Sequence, residues 1–206
     1  IKYGANGELL RFKARLVAKG FKQRPFLDYS ETFAPTLRTS TFRLLCAISC
    51  QLGLHLHTMD VTTAFLIPAL KEEIYMRLPK QPLINEALPD FSTDAVVRLN
   101  KCLYGLVQSP REFFLHFSQV LKKMGFTQSS MDPCLWLKFR NGTLVAAIAI
   151  FVDDAAIAAA EDEVASIKRA LQQNFEMTDG GPISWFLGVS LHHNVKAGTL
   201  TLDQGA

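Results

Sequence analysis

The sequence predicts an α+β fold, an antiparallel sheet backed by helices, on three observations. Between Cys134 and Ala160, an alternating stretch, an Asn-Gly pair and an apolar run ending in Asp153-Asp154 read as strand, turn, strand, turn, strand. Segments near 39–53, 109–125 and 161–175 carry apolar residues at helical spacing between start and stop signals. A strand-like run, His55 to Val61, places one carboxylate at the end of an otherwise apolar row.

A chain of 206 residues, 49% hydrophobic and 20% charged, is long enough to bury one core or two small ones. Cys46, Cys50, Cys102 and Cys134 show neither CxxC pairing nor disulfide density, which suits a reducing compartment. No targeting segment is visible, and the start, IKYGANGELL, is expected to be an interior cut in a longer polypeptide. Residues 1–24 hold Lys2, Arg11, Lys13, Arg15, Lys19, Lys22 and Arg24 against Glu8 alone. That segment is +6 in a chain of net charge +3, which leaves the remainder at −3. Such asymmetry suits a polyanion partner near an acidic metal site, and equally a plain solvated surface.

Taken in order, Arg11 to Lys19 alternates, with Phe12, Ala14, Leu16 and Ala18 on one side and Arg11, Lys13, Arg15 and Lys19 on the other. This reads as a strand whose cations either grip phosphates or guard a solvated edge. Gln23 to Pro35 reads as a loop. A helix is expected from Thr39 or Ser40 as N-cap, through Phe42, Leu45, Cys46 and Leu52, to a stop at Gly53. In the strand that follows, Leu54, Leu56, Thr58 and Asp60 share a face. Phe65 comes next, either a core aromatic or a neighbour of bound nucleotide. Glu73 to Leu78 reads as a short strand and Lys80 to Thr93 as a surface loop.

Val96 to Leu103 leads into Tyr104-Gly105, whose glycine lets backbone approach a base or ribose. Ser109 and Glu112 have capping-box spacing with Pro110 at the first helical position. Phe113, Phe114, Phe117, Val120, Leu121 and Met124 form that helix's stripe, and Gly125 closes it. In the central hairpin, Asn141-Gly142 supplies the two positive-φ positions of a tight turn. Neither apolar arm beside Asp153-Asp154 is long enough to span a bilayer, so no membrane partner is expected. A helix over Glu161 to Phe175 is acidic early and basic later, at Lys168 and Arg169. Gly180-Gly181-Pro182 breaks the chain, and Ser184 to His192 and Thr199 to Leu202 read as closing strands.

Three aspartates carry the chemistry. Adjacent carboxylates at a hairpin tip repel each other and lose solvation, so they need cations or an open, solvated turn. Asp60, at the end of its apolar row, is a natural third ligand for whatever Asp153 and Asp154 hold. With no His or Cys donor nearby and no Gly-rich phosphate loop, the set points to Mg²⁺ acting on phosphoryl groups.

Nine segments then occur in one order: KARLVAKGFKQ (13–23), DYSETFAP (28–35), MDVTTAFL (59–66), EEIYM (72–76), LYGLVQSPREF (103–113), DPCLW (132–136), FVDD (151–154), FEMTDGG (175–181) and WFLGV (185–189). Over roughly residues 11 to 204 the chain resembles the reverse transcriptase of copia-type (Pseudoviridae) long-terminal-repeat retrotransposons. The resemblance implies a right-hand polymerase reduced to fingers and palm. Residues 1–53 would be a fingers-like basic segment with the first helix. Residues 54–206 would be the palm, with an inserted loop at about 79–95 and a primer-grip hairpin at its end, thumb and RNase H being absent.

The resemblance also implies RNA-directed DNA polymerase activity, with Asp60, Asp153 and Asp154 catalytic. These three and the Val61 carbonyl would hold two Mg²⁺ ions, with Mn²⁺ as a substitute. Lys13 and Arg15 look like triphosphate ligands, and Phe65 like the gate that collides with a ribose 2′-hydroxyl. Tyr104, Gly105 and Gln108 resemble the motif that packs on the incoming nucleotide, while Pro110, Phe151, Phe186, Leu187 and Gly188 resemble contacts to primer and template. The implied partners are an RNA template, a DNA primer, dNTPs and the rest of a polyprotein (thumb, RNase H and integrase).

The chain departs from the family pattern at Phe151, usually Tyr, at Thr62, Val107 and Thr178, where lysine is common, at Ile67-Pro68 and at Gly180. The strand after Asp154 is nearly all alanine, which is expected to weaken packing beneath the metals. These departures suit an alternative, a catalytically decayed or co-opted fragment that keeps the fold and nucleic-acid binding. A nucleotidyl cyclase with a similar palm is disfavoured by the primer-grip match at WFLG.

Overall fold

The computed structural model describes residues 2–3, 8–12, 14–79 and 95–204, so Lys13 and the expected loop over Lys80 to Thr93 lie outside the described residues. The architecture is α+β, with antiparallel strands and three α-helices among those residues. In chain order the elements begin β1 (Lys2–Tyr3), β2 (Leu9–Arg11), α1 (Thr39–Leu52), β3 (His55–Val61), β4 (Tyr75–Arg77), β5 (Val96–Arg98) and α2 (Ser109–Lys123). There follow β6 (Thr127–Gln128), β7 (Leu135–Arg140), β8 (Thr143–Phe151), β9 (Asp154–Ala159), α3 (Glu161–Gln172), β10 (Met177–Pro182), β11 (Trp185–Phe186), β12 (Val189–Asn194) and β13 (Thr199–Asp203). No described helix is long and apolar enough to cross a membrane.

The chain forms two compact units. Residues up to 33 with 65–112 make the first, and residues 34–64 with 113 onward make the second, whereas the sequence expectation placed one boundary after residue 53. In the first unit, β1 pairs with β2 and β4 with β5. Its small core gathers Ala18, Ile74 and Leu106, with Leu70, Met76, Leu99 and Leu103 packed against them.

The strand expected over Arg11 to Lys19 is not formed. Residues 14–19 carry no regular structure, and Phe12, Leu16 and Val17 are exposed at 76%, 42% and 54%. Alternation makes a strand only where a partner strand and a covering core exist. Here the Ala18 amide donates to the Tyr104 carbonyl (2.7 Å), and Ala18 alone of that row is buried. In the loop that follows, Phe26 sits at φ 63 with its ring exposed. An L-residue in the left-handed region costs about 1–2 kcal/mol, and this ring gains no burial in return. Phe26→Gly is therefore expected to stabilise the protein by about 1 kcal/mol, read as a higher urea midpoint at unchanged slope. An unchanged or lower midpoint would contradict the strain reading.

The second unit is built on an antiparallel six-stranded sheet in the order β10-β3-β9-β8-β7-β6. The β7–β8 hairpin turns at Asn141 (φ 50) and Gly142 (φ 78), as the Asn-Gly pair predicts. Ala155 to Ala159 are all buried in β9, hydrogen-bonded between β3 and β8. The bulk that alanine lacks comes from elsewhere. Ala147, Ala149, Ala156 and Ala158 share a core with Phe42, Leu45 and Cys46 of α1 and with Leu54, Leu56, Ile183, Phe186 and Leu191. The rings of Phe113 and Phe117 in α2 pack with Phe175, the Phe117 and Phe175 centroids lying 4.8 Å apart in a stack.

Three local expectations are corrected. The α1 N-cap is Arg38, which has no side-chain cap, in place of Thr39 or Ser40. Asp132 substitutes for it from a distance, accepting the Arg38 amide (3.1 Å) and the Cys134 amide (2.9 Å). The capping box is not formed either. The Ser109 hydroxyl donates to the Leu103 carbonyl (2.7 Å), its amide donates to Leu106, and Glu112 pairs with Lys71 (2.9 Å). Gly180-Gly181-Pro182, read as a break, ends the edge strand β10, which tolerates its glycines through a bulge between Asp179 and Gly181. A Cβ on Gly180 would come within 2.3 Å of Thr58 Oγ1.

Asp132 is 2% exposed. Burial opposes its ionisation, but hydrogen bonds from Thr41, Cys134 and Arg38 outweigh burial and hold its carboxyl below the ordinary value. A depressed folded value gives stabilisation that is intact above the unfolded value and is lost as pH falls through the folded one. Asp132→Ala should cost about 2 kcal/mol at neutral pH, since it strands the buried Cys134 amide and the partly buried Arg38 amide, and the deficit should shrink in acid. Urea melts at pH 7 and at about pH 3 check both statements; a deficit independent of pH would count against the ionised cap.

Candidate active site

In the second unit, strand pairing brings two of the three aspartates together. Asp60, near the end of β3, lies directly opposite Asp154, the first residue of β9. Asp153 belongs to the two-residue turn between Phe151 and Asp154, and the Val61 amide donates to its carbonyl (3.0 Å). Val152, the first turn residue, sits at φ 57, a position that favours glycine and that a β-branched side chain occupies at a cost. The hydrogen-bonded hairpin and its tie to Val61 hold that strain in place. Asp60 is exposed, and Asp153 and Asp154 are half-buried.

Electrostatics singles out Asp154. Burial first, then the Asp153 and Asp60 carboxylates, push its carboxyl up to about 6. This is the signature of like charges gathered beside a partly buried carboxyl. Among the described residues no three His, Cys, Asp or Glu side chains converge as a ready ligand set. The donor chemistry, carboxylates alone with a nearby backbone carbonyl, still fits a hard divalent cation such as Mg²⁺.

The first unit assembles three residues that the sequence named separately. The Arg15 guanidinium lies over the Tyr104 ring, 5.4 Å from its centroid, and the Phe65 ring meets Tyr104 edge-on at 5.1 Å. Gly105 is exposed at φ 88 and packs against Val17 and Ala18. Gln108 behaves differently, being 1% exposed. Its amide donates to the Asp28 carbonyl (3.0 Å) and toward Glu72 (3.4 Å) and accepts from Gln23 (3.0 Å). As it stands, the Gln108 side chain ties loops together inside the unit. Pro110 is half-buried at the start of α2.

At the end of the chain, the single strand expected over Ser184 to His192 is a hairpin, β11 and β12, turning at Leu187 (φ 51) and Gly188 (φ 77). Phe186 is buried against Phe42 (4.9 Å), so the aromatic this hairpin offers to solvent is Trp185, 59% exposed and not singled out from sequence. Adjacent residues of a strand face opposite ways, which was the available signal. A second group escaped sequence reasoning because it joins three distant elements. Lys168 of α3, 9% exposed, donates to Asp179 of β10 (2.5 Å) and lies 2.9 Å from His57 Nδ1 on β3. The hydrogen bond from Lys168 holds the Asp179 carboxyl below its ordinary value; burial, then the Lys168 charge, lowers His57.

The chain as a whole has relatives among known proteins. A family model described as reverse transcriptase (RNA-dependent DNA polymerase) matches residues 2–206, and the chain belongs to that family. Within it, the chain is a copia-type domain of the kind found in retrotransposon Pol polyproteins. It is 32% identical over 205 residues to the retrovirus-related Pol polyprotein from transposon TNT 1-94 of Nicotiana tabacum, covering 99% of this chain and 15% of that protein. It is 34% identical over 191 residues to the polyprotein from transposon RE2 of Arabidopsis thaliana, covering 91% of this chain and 13% of that protein. A putative transposon Ty5-1 protein of Saccharomyces cerevisiae is 33% identical over 146 residues, 70% of this chain and 45% of that protein. The chain thus spans a minor part of each relative's length.

Proposed function

We propose that this chain is the fingers and palm of an RNA-directed DNA polymerase, joining dNTPs to a primer 3′-end on an RNA template. The observation that carries the reading is the pairing of Asp60 with Asp154 beside an Asp153 peptide anchored to Val61. Asp60, Asp153, Asp154 and the Val61 carbonyl would hold the metals. Two Mg²⁺ ions, when bound, supply the charge that activates the primer hydroxyl and stabilises the leaving pyrophosphate. The primer oxygen bonds to the α-phosphorus as the bond to the departing pyrophosphate breaks.

The first unit serves as fingers. Lys13 and Arg15 neutralise the triphosphate, Phe65 excludes the ribose 2′-hydroxyl, and Tyr104, Gly105 and Gln108 shape the nucleotide's surroundings. The sheet of the second unit serves as palm. Phe151, Pro110 and the hairpin at Phe186, Leu187 and Gly188 contact primer and template, recognising a hybrid mainly through its backbone and A-like shape. Thumb, RNase H and integrase are the expected companions in a polyprotein.

The test is primer extension on an RNA template with Mg²⁺ and dNTPs, comparing wild type with Asp153→Asn. Extension by wild type is expected, with a drop of more than roughly 100-fold in the variant, because loss of a metal ligand should exceed the loss of its outer-shell support. If wild type stays silent even when fused to a thumb from an active relative, the polymerase reading fails and a decayed fragment remains.

A further inference from the structure

In the first unit, Phe65 and Tyr104 meet through their rings. Phe65 stands on a three-residue 3₁₀ turn, Ala64–Leu66, and is half-buried. Tyr104 is anchored through its backbone, since its carbonyl accepts the Ala18 amide (2.7 Å) and the adjoining Gly105 packs too closely on Val17 and Ala18 to admit a Cβ. The Phe65 ring leans on this anchored residue, with centroids 5.1 Å apart and planes at 63°, the edge-to-face arrangement aromatic quadrupoles prefer. Arg15 lies over the Tyr104 ring, adding a cation–π contact to the cluster.

A ring excludes one hydroxyl group only if it cannot rotate out of the way. Rotation between staggered side-chain wells is easy for an aromatic ring on a short turn unless a neighbour blocks it. We propose that Tyr104 is a positioning residue for Phe65, holding the ring against which the sugar is measured and so setting the preference for deoxyribonucleotides over ribonucleotides. This rests on the reading of Phe65 as the sugar gate. It gives Tyr104 a role beyond packing on the nucleotide, and it places the triphosphate-side Arg15 and the sugar gate on one shared side chain.

The test measures binding without turnover. The chain is assembled on an RNA template annealed to a dideoxy-terminated DNA primer, and Kd is measured for the next complementary dNTP and for its ribonucleotide. Wild type, Phe65→Ala, Tyr104→Ala, Tyr104→Leu, Tyr104→Phe and the Phe65→Ala/Tyr104→Ala double variant are compared. Tyr104→Ala and Tyr104→Leu should each shrink the dNTP preference by roughly tenfold, the equivalent of a lost aromatic pair. Phe65→Ala should do the same, the double variant should add nothing further, and Tyr104→Phe should keep the wild-type preference. Tyr104→Leu retains bulk in the unit, and circular dichroism matching wild type separates lost discrimination from lost folding. A preference unchanged in Tyr104→Leu but collapsed in Phe65→Ala overturns the proposal and leaves the gate standing. A preference unchanged in Phe65→Ala, or wild type that binds neither nucleotide, overturns the gate reading and this proposal with it.

Discussion

Replacing Asp154 with Asn is expected to stabilise the metal-free protein by about 2 kcal/mol at neutral pH while removing primer extension. The Asp154 carboxyl is pushed up to about 6 from 3.8, by burial first and then by Asp153 and Asp60. A carboxyl whose folded value lies above its unfolded value destabilises the fold once ionised. The penalty is absent below the unfolded value, grows between about pH 4 and pH 6, and is constant above. The shift corresponds to about 3 kcal/mol, reduced to about 2 because Asp154 is partly solvated. Asn keeps the shape and loses the charge. Urea melts in a chelator should show wild type and variant alike near pH 4 and separated near pH 7.5. Added Mg²⁺ should then raise wild type more than the variant, since an ion that binds only the folded state stabilises it by mass action. No separation at pH 7.5 would mean that the three carboxylates do not feel one another.

The approach of Asp60 to Asp154 was legible because its information is local in the sequence. The Asn-Gly turn set the register of the β7–β8 hairpin, the apolar run marked β8, and Asp60 followed from its place on an alternating strand. The readings that failed needed knowledge of neighbours. Arg11 to Lys19 alternates as well as β7 does, but no described strand lies beside residues 14–19 to make use of it. Gly180-Gly181-Pro182 carries every mark of a break, yet an edge strand with a bulge accommodates it because Thr58 leaves room only for glycine there. Asp132 caps a helix that starts more than ninety residues before it in the chain, and no local capping rule reaches that far. The Lys168, Asp179 and His57 group likewise exists only because α3, β10 and β3 meet.

The alanine-rich strand shows how one feature carries two meanings. Small side chains after Asp154 give little packing of their own, which is why the sequence suggested weakness beneath the site. In the fold every one of them is buried, and Phe42, Leu45 and Phe186 fill the space beside Ala156 and Ala158. The sheet under the aspartates therefore depends on α1 and on the β11–β12 hairpin for its bulk. A cavity-creating change at Phe42 would be transmitted to the strand that bears Asp154 as directly as a change in that strand itself.

Gly105→Ala is expected to destabilise the first unit by about 3 kcal/mol or more, whereas Gly142→Ala should cost only about 1 kcal/mol. Both glycines have positive φ, 88 and 78, so both substitutions incur the left-handed penalty of an L-residue. They differ in what a Cβ meets. At Gly142 nothing lies within 4 Å, while at Gly105 the new atom would fall 2.2 Å from the Ala18 carbonyl oxygen and 2.5 Å from Val17 Cγ1. A backbone oxygen cannot swing aside as a flexible side chain can, so the two segments must separate. Separation breaks the Ala18–Tyr104 hydrogen bond and loosens Ala18 and Leu106 in the small core of that unit. Hydrogen exchange should therefore speed up in the first unit of Gly105→Ala and remain slow in the β3, β8 and β9 amides of the second. Because Tyr104 is the shared neighbour of Arg15 and Phe65, the variant should also lose nucleotide affinity with Asp60, Asp153 and Asp154 intact. Equal destabilisation by the two alanines would show that the contact at Gly105 is slack and that backbone conformation alone explains the glycine.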